Sequence, residues 1–169
     1  GSAAATEHLC RLGRQRVAYV GPTADFIFGV GRLAGYRDAL AAAGRAVDDR
    51  LVRLEDTHPE GGYRATIAVL DEQPDAIHVA TDPMAVGALR ALRERGLNVP
   101  RDIAVVGFDG LPNARPTDPE LTTVVQPVGE VGRTAVHVLQ QGYDGPETVI
   151  LPTSLHIGDS CGARSMATD

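Results

Sequence analysis

Residues 81–109, TDPMAVGALRALRERGLNVPRDIAVVGFD, constrain the fold more than any other part of the chain. They read as a capped helix, a stop and a buried strand, with an acid near each end. In Thr81-Asp82-Pro83 a side-chain oxygen stands where the free N–H groups of a helix start need an acceptor, and Pro83 falls in the first turn. Ala85, Ala88, Leu89 and Leu92 recur on one helical face, and Gly96 with Pro100 ends the helix. Ile103 to Phe108 is a nearly unbroken apolar run, as a strand covered on both faces requires. Asp109 then emerges at the strand's carboxyl end, the side on which open parallel sheets bind ligands.

The same alternation runs through the preceding residues. AAATEHLCRLG reads as a helix, and Val17 to Val20 as a strand closed by Gly21-Pro22. A helix is expected from about Gly31 to Ala43, with Leu33, Tyr36, Leu40 and Ala43 on one face and Gly44 as its stop. Leu51 to Glu55 reads as a second strand. Gly61-Gly62 is expected to precede a helix carrying Tyr63, Ile67 and Leu70, and Ala76 to Ala80 reads as a third strand. Strand alternating with helix predicts an α/β fold, a doubly wound parallel sheet flanked by helices, with strand order 2-1-3-4-5.

Beyond Asp109 the rhythm changes. GLPNARPTDPE holds three prolines and no periodic face, so it reads as a surface loop. Leu121 to Val125 is a short strand and Gln126-Pro127 a break. Val128, Val131, Ala135 and Val138 define an amphipathic helix ending near Gly142. Two short β-like pieces, Thr148 to Leu151 and Ser154 to Ile157, precede a polar tail. The expected organisation is Gly1-Ser2 as an expression remnant, one domain over residues 3–161, and a flexible tail over residues 162–169.

Composition narrows the function classes. The net charge of −6 and a pI near 5.3 argue against this chain gripping nucleic acid by itself. No apolar run approaches a membrane span and no signal-peptide pattern occurs, so a cytoplasmic location is expected. Two cysteines, Cys10 and Cys161, are too few for a disulfide scaffold or a zinc site and read as reduced thiols. The five histidines lack metal-ligand spacing, with His78 read as a hydrogen-bonded strand residue; no cofactor or metal is expected.

Four polar groups fall just beyond different strands or on the following helix: Arg32, Thr81-Asp82, Asp109 and Gln126. A parallel sheet brings them to one edge. Arginine donates paired hydrogen bonds and aspartate accepts two from neighbouring hydroxyls, which suits a polyhydroxylated ligand. Each also has a structural reading: Asp82 as a helix cap, Arg32 as a solvated helix residue, Asp109 as a loop anchor. Phe26 and Phe28, in the loop before Arg32, either border the cleft or pack on the protein itself. Gly29, Gly31 and Gly35 have the wrong spacing and distance from the strand for a dinucleotide fingerprint.

In combination, RVAYVGP, RLAGYRDAL, ATDPMAVGALRALRERGLNVPRDIAVVGFDG, DPELTTVVQPVGEVGRTAV and LPTSLHIGDSCG closely resemble the ligand-binding core of lac-repressor/galactose-repressor family regulators. The resemblance, from about Ala5 to Cys161, implies a periplasmic-binding-protein-like type I subdomain, the C-terminal one of two that clasp a small-molecule effector. It implies a homodimer, and operator DNA bound only through an N-terminal headpiece that this chain lacks, together with most of the N-terminal subdomain. It places the family's effector-contacting arginine on Arg32, its acid on Asp109 and its cleft glutamine on Gln126. The family's Asn-Asp pair appears as Thr81-Asp82, its second acid as Gly110, and the small polar residues before the arginine as Phe26, Ile27 and Phe28. The helix from Val128 to Gln141 resembles one that returns to the missing subdomain, so its apolar stripe packs on its own domain, binds another copy or stays exposed.

The expectation is therefore an effector-sensing, dimerising domain of a transcriptional regulator, binding a sugar or related polar molecule. A solute receptor of a transporter or sensor shares the fold. An α/β enzyme using Asp109 or Asp82 ranks below both, for want of a nucleophile, metal set or phosphate loop. The acidic balance and the missing recognition helix predict that the chain alone forms no sequence-dependent complex with DNA. A gel shift at physiological salt checks this, and a specific complex would refute it.

Overall fold

The computed structural model describes residues 1–114, 117–141 and 148–166. Five parallel strands follow the predicted order: β1 (Val17–Pro22), β2 (Val52–Glu55), β3 (Ala76–Val79), β4 (Ala104–Asp109) and β5 (Thr122–Val125). A sixth, β6 (Ser154–His156), adds antiparallel to β5, giving the sheet order β2-β1-β3-β4-β5-β6. The register pairs Asp109 with Val125, so Gln126 follows directly beside the end of β4.

Side chains alternate through the sheet as the strand pleat demands. Ala18, Val20, Ile77, Val79 and Val105 face α3 (Pro59–Leu70) and α4 (Asp82–Glu94). Val17, Tyr19, Ala76, Val106 and Phe108 face α1 (Ser2–Arg11) and α2 (Ile27–Ala42). The strands are buried on both faces, which explains why they read as continuous apolar runs. His78, inside β3, is fully buried; its Nδ1 lies 3.0 Å from Thr6 Oγ1 on α1, and burial pushes its pKa down to about 3, so it is neutral.

Several boundaries differ from the sequence expectation. Helix α2 begins at Ile27 rather than Gly31, so Phe28 is helical and Phe26 is the residue before the first turn. No side chain caps this start, so no local signal marked it. Helix α3 begins at Pro59, and Gly61-Gly62 lies inside it rather than before it. The reason is close helix crossing. A Cβ on Gly62 would strike the Met84 backbone of α4, and one on Gly87 would strike the Pro59 carbonyl of α3. Gly35 serves the α1–α2 crossing likewise, with its Cβ position 3.0 Å from Ala3 N.

The end of the chain differs too. Residues 148–151 form no strand, and they pair with nothing in the sheet. The expected flexible tail contains α6 (Ala163–Met166), and Arg164 bonds Glu120 Oε2 at 2.6 Å and Asp159 Oδ1 at 3.2 Å. Residues 167–169, Arg115-Pro116 of the proline loop and the expected helix stop at Gly142 lie outside the described residues. At the other end, Ser2 opens α1 and is buried, its hydroxyl donating to the Arg32 carbonyl at 2.5 Å. Both cysteines are free thiols.

Helix α5 (Val128–Gln140) forms as expected but buries no side chain. Val128, Val131 and Leu139 remain exposed, above an open groove of about 540 Å³ that Leu151 and Thr153 border. Of the three fates open to its stripe, full burial on its own domain is not the one adopted.

The helix crossing generates a stability prediction. Gly87→Ala forces α3 and α4 apart and should destabilise by about 1–3 kcal/mol or more. Gly31→Ala, whose Cβ would meet nothing within 4 Å, should instead stabilise by roughly 0.5–1 kcal/mol. Thermal unfolding of both variants checks the pair.

Candidate functional site

The carboxyl ends of three adjacent strands meet around one carboxylate. Asp109 closes β4 with φ of 123°, a left-handed conformation that a non-glycine residue holds only when its surroundings fix it. Here they do. Asp109 Oδ1 accepts from Arg32 Nη2 at 2.9 Å and from Gln126 Nε2 at 2.8 Å. Arg32 Nη1 also donates to the Ala80 carbonyl at the end of β3. Arg32, Asp109 and Gln126, three of the predicted site residues, are thereby in direct contact.

The guanidinium of Arg32 is held by faces as well as edges. Its central carbon lies 3.9 Å from the centroid of Phe108 and 4.7 Å from that of Phe28. Cation–π stacking fixes its plane without spending its N–H donors. Among the described residues two of its five N–H groups are used, and the Asp109 carboxylate accepts from Arg32, from Gln126 and from the backbone N–H of Asp82. Burial raises the Asp109 pKa above the ordinary aspartate value, against the pull of the Arg32 charge. Both side chains keep a solvent edge, at 12% and 16% exposure. Free donors beside a partly used carboxylate form a cluster able to bond hydroxyl groups.

Thr81 and Asp82 occupy the same edge but are committed elsewhere. Thr81 is the N-cap of α4, its Oγ1 accepting from Met84 N at 3.3 Å. Asp82 is fully buried. Its Oδ1 accepts from Thr123 Oγ1 at 2.6 Å and its Oδ2 from Leu111 N at 2.7 Å, with the Gly110 N–H adding to them. It thus ties α4 to β5 and to the loop after Asp109. This clamp needs Gly107, where a Cβ would stand 2.6 Å from Asp82 Oδ1.

Phe26 and Phe28 lie at the start of α2, their ring centroids 5.7 Å apart. Phe28 touches Arg32 and is 40% exposed, so it borders the cluster rather than packing in the core. Sequence reasoning missed Phe108 and the Ala80 carbonyl as partners of Arg32, and Thr123 as the partner of Asp82. Phe108 read only as the last apolar residue of a strand, and no local pattern marks a backbone carbonyl. Among the described residues no group of three or more His, Cys, Asp or Glu could hold a metal ion, and no helix is long and apolar enough to cross a membrane.

A six-stranded, mostly parallel sheet covered on both faces, with a charged, half-buried cluster at its carboxyl edge, is the periplasmic-binding-protein-like type I fold. The chain belongs to the periplasmic binding protein-like domain family, which residues 6–161 match. It is 38% identical over 166 residues to the HTH-type transcriptional regulator CelR of Thermobifida fusca, covering 95% of this chain and 49% of that protein. A solved structure described as a transcriptional regulator CelR–cellobiose complex superimposes with a TM-score of 0.87 at 37% identity, covering 95% of this chain and 51% of that one. A LacI-family transcriptional regulator from Enterococcus faecium with bound ribose gives 0.85 at 28% identity, covering 95% and 61%. The chain spans about half the length of the curated relatives it matches.

The Asp82 clamp has a pH signature. Burial lifts its pKa above the ordinary 3.8, so the folded chain holds that proton more tightly than the unfolded chain. The ionised carboxylate therefore weighs against folding at neutral pH. The penalty fades as pH falls through the raised value and vanishes below the ordinary one. The Asp82→Asn variant has no such proton. Its stability difference from wild type should shift in favour of wild type between about pH 7 and about pH 4. Urea midpoints across that range check the sign, and a flat difference would contradict it.

Proposed function

We propose that this chain is the effector-sensing C-terminal half of a transcriptional regulator, taking a small polyhydroxylated ligand at the Arg32–Asp109–Gln126 cluster. The observation that carries the reading is that cluster: three side chains from separate sequence regions joined at the carboxyl edge, with donors and an acceptor to spare. Relatives described with cellobiose and with ribose support a sugar or related molecule. Those relatives are transcriptional regulators, which favours binding over catalysis and over a transport receptor. Operator contact belongs to a headpiece outside this chain, the working form is a homodimer, and the compartment is the cytoplasm. The effector acts by favouring one arrangement of the two clasping halves, and only its differential affinity for the arrangements changes operator binding. The role of Thr81 and Asp82 is to hold the rim in shape.

Asp109→Asn and Arg32→Ala should each weaken binding about tenfold or more while leaving the fold intact, since a charged hydrogen bond contributes roughly 1.5–3 kcal/mol. Titration calorimetry with cellobiose on the full-length protein measures this. Unchanged affinity in both variants would place the site elsewhere.

A further inference from the structure

All three phenylalanines of the chain, Phe26, Phe28 and Phe108, form one connected run with Arg32. Phe108 is covered, and its packing on the guanidinium explains itself. Phe28 is different. It stacks on Arg32 yet stays 40% exposed, and Ile27 and Val30 beside it are more exposed still. In a chain with 4% aromatic residues, an exposed ring in the first turn of α2 with that of Phe26 beside it makes a costly surface unless something covers it. The rings continue the polar cluster without a gap. From Asp109 the steps are 2.9 Å to Arg32, 4.7 Å from its guanidinium to the ring of Phe28 and 5.7 Å on to that of Phe26. At the polar end Thr81 caps α4 and Asp82 is buried in its clamp, which leaves ligand contact to Arg32, Asp109 and Gln126.

We propose that Phe28, backed by Phe26, is a second ligand position that takes the apolar face of a second ring, so that the effector is a two-ring glycoside rather than a monosaccharide. The first ring bonds Arg32, Asp109 and Gln126 through its hydroxyls; the second lies on the exposed ring of Phe28. Sugar rings and aryl groups both present a flat apolar face to an aromatic side chain, and such stacking contributes enough to separate one-ring from two-ring ligands. The assignment rests on the cluster being an effector site.

The experiment is titration calorimetry of the full-length protein with glucose, cellobiose and phenyl β-D-glucoside, on wild type, Phe28→Ala, Phe28→Tyr and Asp109→Asn. Wild type should bind at least one two-ring probe about tenfold more tightly than glucose. Phe28→Ala should bring that ratio close to one, and Phe28→Tyr should restore it. Thermal unfolding of each variant checks that it is folded. A preference for cellobiose alone identifies the second ring as a sugar, and one for the phenyl glucoside alone as an aryl group. Equal wild-type affinity for one-ring and two-ring probes overturns the proposal. So does a ratio that survives Phe28→Ala, which would mean that another part of the protein covers Phe28. If no probe binds wild type, or Asp109→Asn binds them all as wild type does, the effector site itself is wrong and this assignment falls with it.

Discussion

The carboxyl edge of the sheet depends on a carboxylate that sees no solvent. Asp82 joins the start of α4, the Thr123 hydroxyl of β5 and the backbone after Asp109 in one knot of hydrogen bonds. Removing a buried charge from water is expensive, and several donors are needed to offset it. With the knot tied, the chain turns sharply after β4, through the left-handed Asp109 and Gly110. That turn leaves the Asp109 carboxylate pointing where Arg32 and Gln126 reach it. Two acids on one edge thus divide the work: Asp82 builds the rim, and Asp109 presents itself on it.

Much of the fold was legible because it is carried by short-range pattern. Apolar runs marked β1, β3 and β4, and Thr81 with Gly96 bracketed α4. Strand alternating with helix then left few topologies, and the order of the five parallel strands followed. What escaped depends on distant contact. Gly61-Gly62 looks like a break because glycine weakens an isolated helix; inside α3 it lets Met84 of α4 approach closely. The start of α2 carries no capping side chain, so nothing local announced it four residues early. Residues 148–151 have strand-like composition, but a strand needs a neighbour and they have none in the sheet.

The site shows the same division. Arg32, Asp109 and Gln126 could be placed on one edge because a parallel sheet puts every strand end there, whatever the side chains do. Asp82 and Asp109 could not be told apart in this way. Both are acids at element boundaries, and only burial separates the clamp from the presented group. The aromatic stacking on Arg32 was illegible for another reason: Phe28 and Phe108 lie far apart in sequence, and a guanidinium between two rings is a product of the packed fold.

Helix α5 lives by a rule unlike that of the other long helices. A helix of 13 residues with no buried side chain gains little from tertiary packing, and alone in water that length sits at the margin where nucleation cost and propagation gain balance. Gly129 and Gly132 in its first turns tip the balance further toward coil. Its backbone amides are therefore protected from solvent hydrogen exchange only to the extent that something rests on the stripe of Val131, Ala135 and Val138. The segment acts as a built-in gauge of cover: its exchange rate reads out whether that face is occupied, independently of the rigid sheet beside it.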